Sequence, residues 1–254
     1  MTVAFDGSRV TRIRDEEKSN PKWSCPCGKT TASSRRFSER PIFRTRDIFM
    51  KALMVDVDGV LVHGRPADGL PYFTYLERDL GLTREMLQQA FFKPYWADIV
   101  TGREQIEPRL KSVLDRIAPN ITPETLMDYW FENDSRLDRQ LLEGLVEYRN
   151  KGVTLFLATN QEHRRAAYLM ERLGLSEYFD GIFYSAALGH KKPSEDFFRI
   201  ATERSGYERH EIAFIDDSVE NIDAAQRFGW NALHWTSGMT LETANSHFNQ
   251  PIRL

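Results

Sequence analysis

Two aspartates, Asp56 and Asp58, stand two residues apart at the end of an apolar run and are followed by glycine, in Leu53-Met54-Val55-Asp56-Val57-Asp58-Gly59. Paired carboxylates at a strand end, in a place suited to chemistry rather than packing, have the layout of a phosphoryl-transfer site. The same Asp-x-Asp-Gly string also occurs in calcium loops and in ordinary turns, where Asp caps the backbone and Gly takes a positive φ. The pair alone leaves both readings open.

Three more polar groups close later segments. Leu157-Ala158-Thr159-Asn160 offers a hydroxyl and the opening N–H groups of a helix where an anion can be held. Gly189-His190-Lys191-Lys192-Pro193 offers a cation beside a helix start, and Ile215-Asp216-Asp217-Ser218 a second acidic pair. Each has an ordinary alternative. Thr159 or Ser218 can cap a helix, Pro193 can fill a first helical position, and Lys191 or Lys192 can be a solvated surface charge. Taken jointly and in this order, the four groups favour a phosphate site.

The elements that must position these groups follow from the apolar pattern. A parallel strand buried on both faces reads as a continuous apolar run, as residues 53–55 do. Beyond residue 137 the pattern alternates regularly. Helices are expected at 139–150, 161–173, 194–205 and 219–228, and strands at 153–158, 181–184, 212–215 and 231–235. Such alternation predicts an α/β fold, a Rossmann-like parallel sheet with helices on both faces. Between the first strand and this region, apolar spacing predicts helices at 72–80, 84–91, 104–117 and 123–131. The expected organisation is core at 50–67, a small helical cap domain at 68–136 inserted after the first strand, and core again at 137–254.

Composition narrows the function classes. The chain has 254 residues, of which 41% are hydrophobic, enough for one sizeable core and a smaller unit. Residues 1–50 carry 11 Lys/Arg against 6 Asp/Glu, which leaves 23 against 31 in the rest, so the body is acidic and nucleic acid is not its expected partner. No stretch nears the roughly 18 apolar residues of a membrane span, and a cytoplasmic location is expected. Residues 1–49 read as a disordered basic extension, either a dispensable tail or translation from a misassigned start upstream of Met50. Cys25 and Cys27, the only cysteines, lack nearby partners for a four-ligand zinc site.

The four groups in order resemble the motifs of the haloacid dehalogenase-like hydrolase superfamily across residues 50 to about 240, with the helical insertion resembling its first type of cap. The stretches Ser185-Ala186-Ala187-Leu188-Gly189 and Phe214-Ile215-Asp216-Asp217 look most like its sugar-phosphate phosphatases, particularly glucose-1-phosphatase-like members. The resemblance implies Asp56 as nucleophile, Asp58 as general acid and base, Thr159 on the phosphoryl oxygens and Lys192, which directly precedes Pro193, balancing charge. It implies Mg2+ on Asp56, the Asp58 carbonyl and Asp217, with Asp216 either a ligand or a support behind the ligands. Asn160 is expected on the phosphate, and Lys93 or Arg103 on an anionic substituent. The aromatic residues of 91–96 can stack on a sugar or simply pack the cap. His63 and Arg65 can line the entrance. An acid at position 58 disfavours carbon–halogen cleavage, which has no alkoxide to protonate. The implied activity is hydrolysis of a small phosphomonoester, with a sugar phosphate as the expected substrate; a phosphomutase or a non-catalytic binding domain is the alternative.

Overall fold

A computed structural model describes residues 50–248 of the chain; the expectations for residues 1–49, Cys25 and Cys27 included, and for 249–254 lie outside the described residues. The strands β1 (Ala52–Val55), β2 (Thr154–Thr159), β3 (Gly181–Tyr184), β4 (Ile212–Asp216) and β5 (Asn231–His234) form one sheet in the order β3-β2-β1-β4-β5. Every pairing is parallel, and the register sets Val55 between Leu157 and Ile215. Their carboxyl ends therefore lie on one edge, where an open α/β sheet binds its ligands.

The helices are α1 (Leu76–Leu80), α2 (Arg84–Leu87), α3 (Lys93–Ile99), α4 (Ile106–Ile117), α5 (Pro123–Asn133) and α6 (Arg139–Asn150), then α7 (His163–Ala167), α8 (Ser185–Leu188), α9 (Glu195–Ser205), α10 (Val219–Phe228) and α11 (Leu241–Phe248). Side chains alternate across β1, so its two faces feed two cores. Leu53 and Val55 pack with Leu141, Leu142 and Leu145 of α6 and Phe248 of α11, while Ala52 and Met54 pack with Phe197 and Phe198 of α9 and Ile222 of α10. A third apolar cluster is separate. Its buried members run from Phe73 to Phe131, and Leu87, Leu110, Val113 and Met127 fill it from α2, α4 and α5. The insertion thus carries its own core. No helix among the described residues is long and apolar enough to cross a membrane.

Several expected boundaries shift, each for a local reason. The helix expected at 72–80 begins only at Leu76, because Thr74 turns back to bond Pro71 O through both its N–H and its hydroxyl. The helix expected at 84–91 runs on to Ile99 through a wider turn at Gln88–Phe92, in which the Lys93 N–H reaches Gln88 O five residues back. That widening accommodates Pro94, which has no N–H to give. The segment expected at 161–173 starts at His163 and widens in the same way at Tyr168–Arg172. Helices α8 and α11 have no counterpart among the expected elements.

Candidate active site

The chain leaves β1 directly into Asp56, whose N–H still bonds Ile215 O at 3.0 Å. The residue is 8% exposed, and its carboxylate accepts the Val57 N–H at 2.8 Å. Across the sheet edge, the Lys192 ammonium donates to Ala158 O at 2.7 Å and to Asp216 Oδ2 at 2.5 Å, and lies 3.0 Å from Asp56 Oδ1. Three acceptors meet three protons. Lys191, the competing lysine, is exposed.

Electrostatics divide these groups. Burial pushes the Asp56 carboxyl up to about 7, against the opposing pull of Lys192. Burial also works to discharge Lys192, but Asp56 and Asp216 outweigh it and hold the ammonium above its ordinary range. Asp217 is shifted upward by partial burial and by Asp216.

Asn160 holds Lys192 in place. Its Oδ1 accepts the Lys192 N–H at 2.8 Å and its Nδ2 donates to Lys192 O at 3.1 Å. The amide expected on phosphate is thus committed to the lysine's backbone. Asp216 is fully engaged as well: Oδ1 takes the Ser218 N–H at 2.8 Å and Asn221 Nδ2 at 3.0 Å, while Oδ2 takes Lys192 and, at 3.1 Å, the same Asn221 amide. Ser218 makes no side-chain cap to α10, and α7 is capped by Glu162 rather than Thr159. Thr159 is buried, with its hydroxyl 3.4 Å from Gln161 Nε2.

One oxygen each of Asp56, Asp216 and Asp217 lies within 4.8 Å of the others. Three carboxylates against one lysine leave an excess of negative charge, and an all-oxygen donor set suits a hard divalent cation such as magnesium. Gly59 makes room for this arrangement. It sits at φ +78°, and a Cβ there would stand 2.1 Å from Asp217 Oδ2.

Asp58 is exposed, and its Oδ2 accepts Gln161 Nε2 at 2.7 Å. Gln161 is itself buried, its carbonyl accepting Ser185 Oγ at 3.1 Å and the Ala186 N–H at 3.2 Å. Sequence reasoning missed Gln161, although its place two residues past Thr159 at a strand end was a usable signal.

A cavity of about 470 Å³ opens over Asp58 and Gly59. Tyr72, Phe92, Trp96 and Trp130 line it from the insertion, Asn160, Gln161 and Arg165 from the core, and Asp134 from the segment joining them. His63 lines it too, but Arg65 instead binds Asp68 and Asn133. Lys93 and Arg103, expected to meet the substrate, are not among the lining residues. Phe92 and Trp96, four apart, share the helix face that meets the cavity, so Lys93 is turned about 100° away and is exposed. The Arg103 guanidinium pairs with Asp98 at 2.7 Å. Asp134 and Arg165 gave no signal in the sequence beyond ordinary helix-end charges.

The family model for haloacid dehalogenase-like hydrolases matches residues 50–229. The chain is 25% identical over 195 residues to a phosphorylated carbohydrates phosphatase of Thermotoga maritima, covering 73% of this chain and 84% of that protein. It is 29% identical over 203 residues to a phosphoglycolate phosphatase of Neisseria gonorrhoeae, covering 74% and 81%. In fold it is similar to a crystal structure of a family enzyme from Bacteroides thetaiotaomicron, with a TM-score of 0.65 at 17% identity over 78% of this chain and 98% of that one.

Proposed function

The chain belongs to the haloacid dehalogenase-like hydrolases and is a phosphoric monoester hydrolase of that family; we propose that it releases the alcohol of a small phosphorylated metabolite by way of an aspartyl-phosphate, with sugar phosphates as one expected class. The observation that carries this reading is the buried Lys192 bridging Asp56 and Asp216 beneath a cavity that opens at Asp58.

In the proposed first step an Asp56 oxygen attacks phosphorus as the bond to the leaving oxygen breaks, and Asp58 gives that oxygen its proton. In the second, Asp58 takes a proton from water, whose oxygen attacks phosphorus and frees Asp56 and inorganic phosphate. Lys192 balances charge on the transferring group, and Thr159 donates to its oxygens. Gln161 orients the Asp58 carboxyl. Asp56, Asp217 and the Asp58 carbonyl would hold magnesium, with Asp216 steadying Lys192 behind them. When bound, the ion offsets carboxylate charge and polarises phosphoryl oxygens. Residues 68–136, with their own core, act as a cap over the site, and residues 50–67 and 137–254 form the catalytic core.

The test is phosphate release by the full chain from a panel of phosphomonoesters, with and without magnesium, beside Asp56→Asn. Magnesium-dependent release that the variant loses supports the reading. Transfer of the phosphoryl group within or between sugars, with no free phosphate, would replace hydrolase by mutase.

A further inference from the structure

The cavity over Asp58 is far larger than a two-carbon alcohol requires and falls in the range of sites that enclose drug-sized ligands. Its charges are unusual for a site expected to bind anions. The lining contributes two carboxylates, Asp58 and Asp134, against a single guanidinium, Arg165, and one imidazole, His63, whose Nε2 lies 3.0 Å from Val60 O. That guanidinium is 1% exposed and already committed: Nη1 donates to Phe131 O at 3.1 Å, Nη2 donates to Asp134 O, and Nη2 lies 3.4 Å from Asp134 Oδ2. Its face rests between the rings of Phe131 and Tyr168, 5.3 and 5.4 Å from their centroids. Asp134 is held up to about 6 by burial and by the charge of Asp58, against Arg165 and the Trp130 N–H, and so remains a carboxylate at neutral pH. Phosphate oxygens have Lys192 and the metal site. A second anionic group, further out on the substrate, has no unpaired cation among the described lining residues and faces Asp134.

Part of the cavity wall is aromatic. Tyr72, Phe92 and Trp96 surround Trp130, with ring centroids 6.0, 5.5 and 5.6 Å from its own. The Trp130 indole N–H is buried and lies beside the Asp134 carboxylate, whose charged form it favours.

We infer that this pocket selects an uncharged leaving alcohol, seated with an apolar face on the Trp96 and Trp130 wall, and rejects alcohols that carry a carboxylate or a second phosphate. The inference rests on the phosphomonoesterase reading above. It separates this chain from the phosphoglycolate phosphatase it resembles, whose substrate bears a carboxylate next to the ester.

The experiment compares kcat/KM of the full chain with magnesium on matched pairs: phenyl phosphate against 4-carboxyphenyl phosphate, and 2-hydroxyethyl phosphate against phosphoglycolate. The uncharged member of each pair should exceed its partner by at least about 30-fold, the scale of a like-charge contact in a half-buried pocket. Asp134→Asn should narrow that ratio by about tenfold. A ratio near one, or a preference for the carboxylated member, overturns the inference while leaving the phosphatase standing. An unchanged ratio in a folded Asp134→Asn protein also overturns it. No release from any ester overturns the phosphatase reading and this one with it.

Discussion

Replacing Asp56 by Asn should abolish phosphate release and yet stabilise the metal-free protein at alkaline pH. Burial carries the Asp56 carboxyl from 3.8 to about 7 in the fold. The folded pKa lies above the unfolded one, so the native state holds this proton more tightly than the unfolded chain does. Below about pH 4 both states are protonated and the group contributes nothing. As pH rises from 4 to 7 the unfolded chain ionises while the native state resists, and native stability falls with each unit. Above 7 the loss is complete, about 4 kcal/mol for a shift of about three units at 1.36 kcal/mol each. Between pH 5 and pH 8 alone it is about 2–3 kcal/mol. Asparagine does not titrate, and Lys192 retains Ala158 O and Asp216 in the variant. Urea unfolding of wild type and Asp56→Asn in EDTA at the two pH values reports on Asp56 and the groups it touches, because titrations elsewhere in the chain cancel in the difference. The variant's advantage should grow by that amount toward pH 8, and added magnesium should raise wild type more than the variant. An advantage that stays flat with pH would refute the claim that burial, against Lys192, governs this carboxyl.

Other perturbations test the remaining parts of the site. Lys192→Met leaves Asp56 and Asp216 facing one another without a cation, and should cost about 3–5 kcal/mol in urea unfolding at pH 7.5 besides at least about 1,000-fold in turnover. Gly59→Ala places a Cβ against Asp217 Oδ2 at a positive φ, so half-maximal activity should need at least about tenfold more magnesium, with a backbone cost of about 1–2 kcal/mol in the melt. Gln161→Ala releases the Asp58 carboxyl and should lower kcat by about tenfold with little change in KM, read from full saturation curves on one ester. Gln161→Glu, which sets a like charge against Asp58, should be worse than alanine.

What the sequence makes legible is what burial dictates locally. Leu53 to Val55 read as a strand because both faces of β1 are covered, and the same cause puts the polar groups at the ends of β1, β2 and β4 on a single edge. The helix at 139–150 has its observed ends because Asp138 caps one and the chain turns at Gly152 beyond the other. The cavity was less legible, since its character comes from contacts distant in sequence. Arg165 lies 34 residues from the carbonyl it holds, and a helical arginine reads as a surface charge until a second helix end arrives to bury it. Lys93 stands next to the aromatic wall in sequence and yet does not line the cavity. Adjacency along a helix is separation around it, so the residue beside a lining aromatic is turned away from the ligand, and the residue four positions on shares its face. The aromatic stripe therefore both packs the cap and walls the cavity: Phe91 belongs wholly to the core, Phe92 and Trp96 face the substrate space, and the charge between them faces solvent. A pocket whose walls are the exposed margin of a core inherits that core's apolar character, and recognition of a charged alcohol there would require a free cation that the helix geometry places elsewhere.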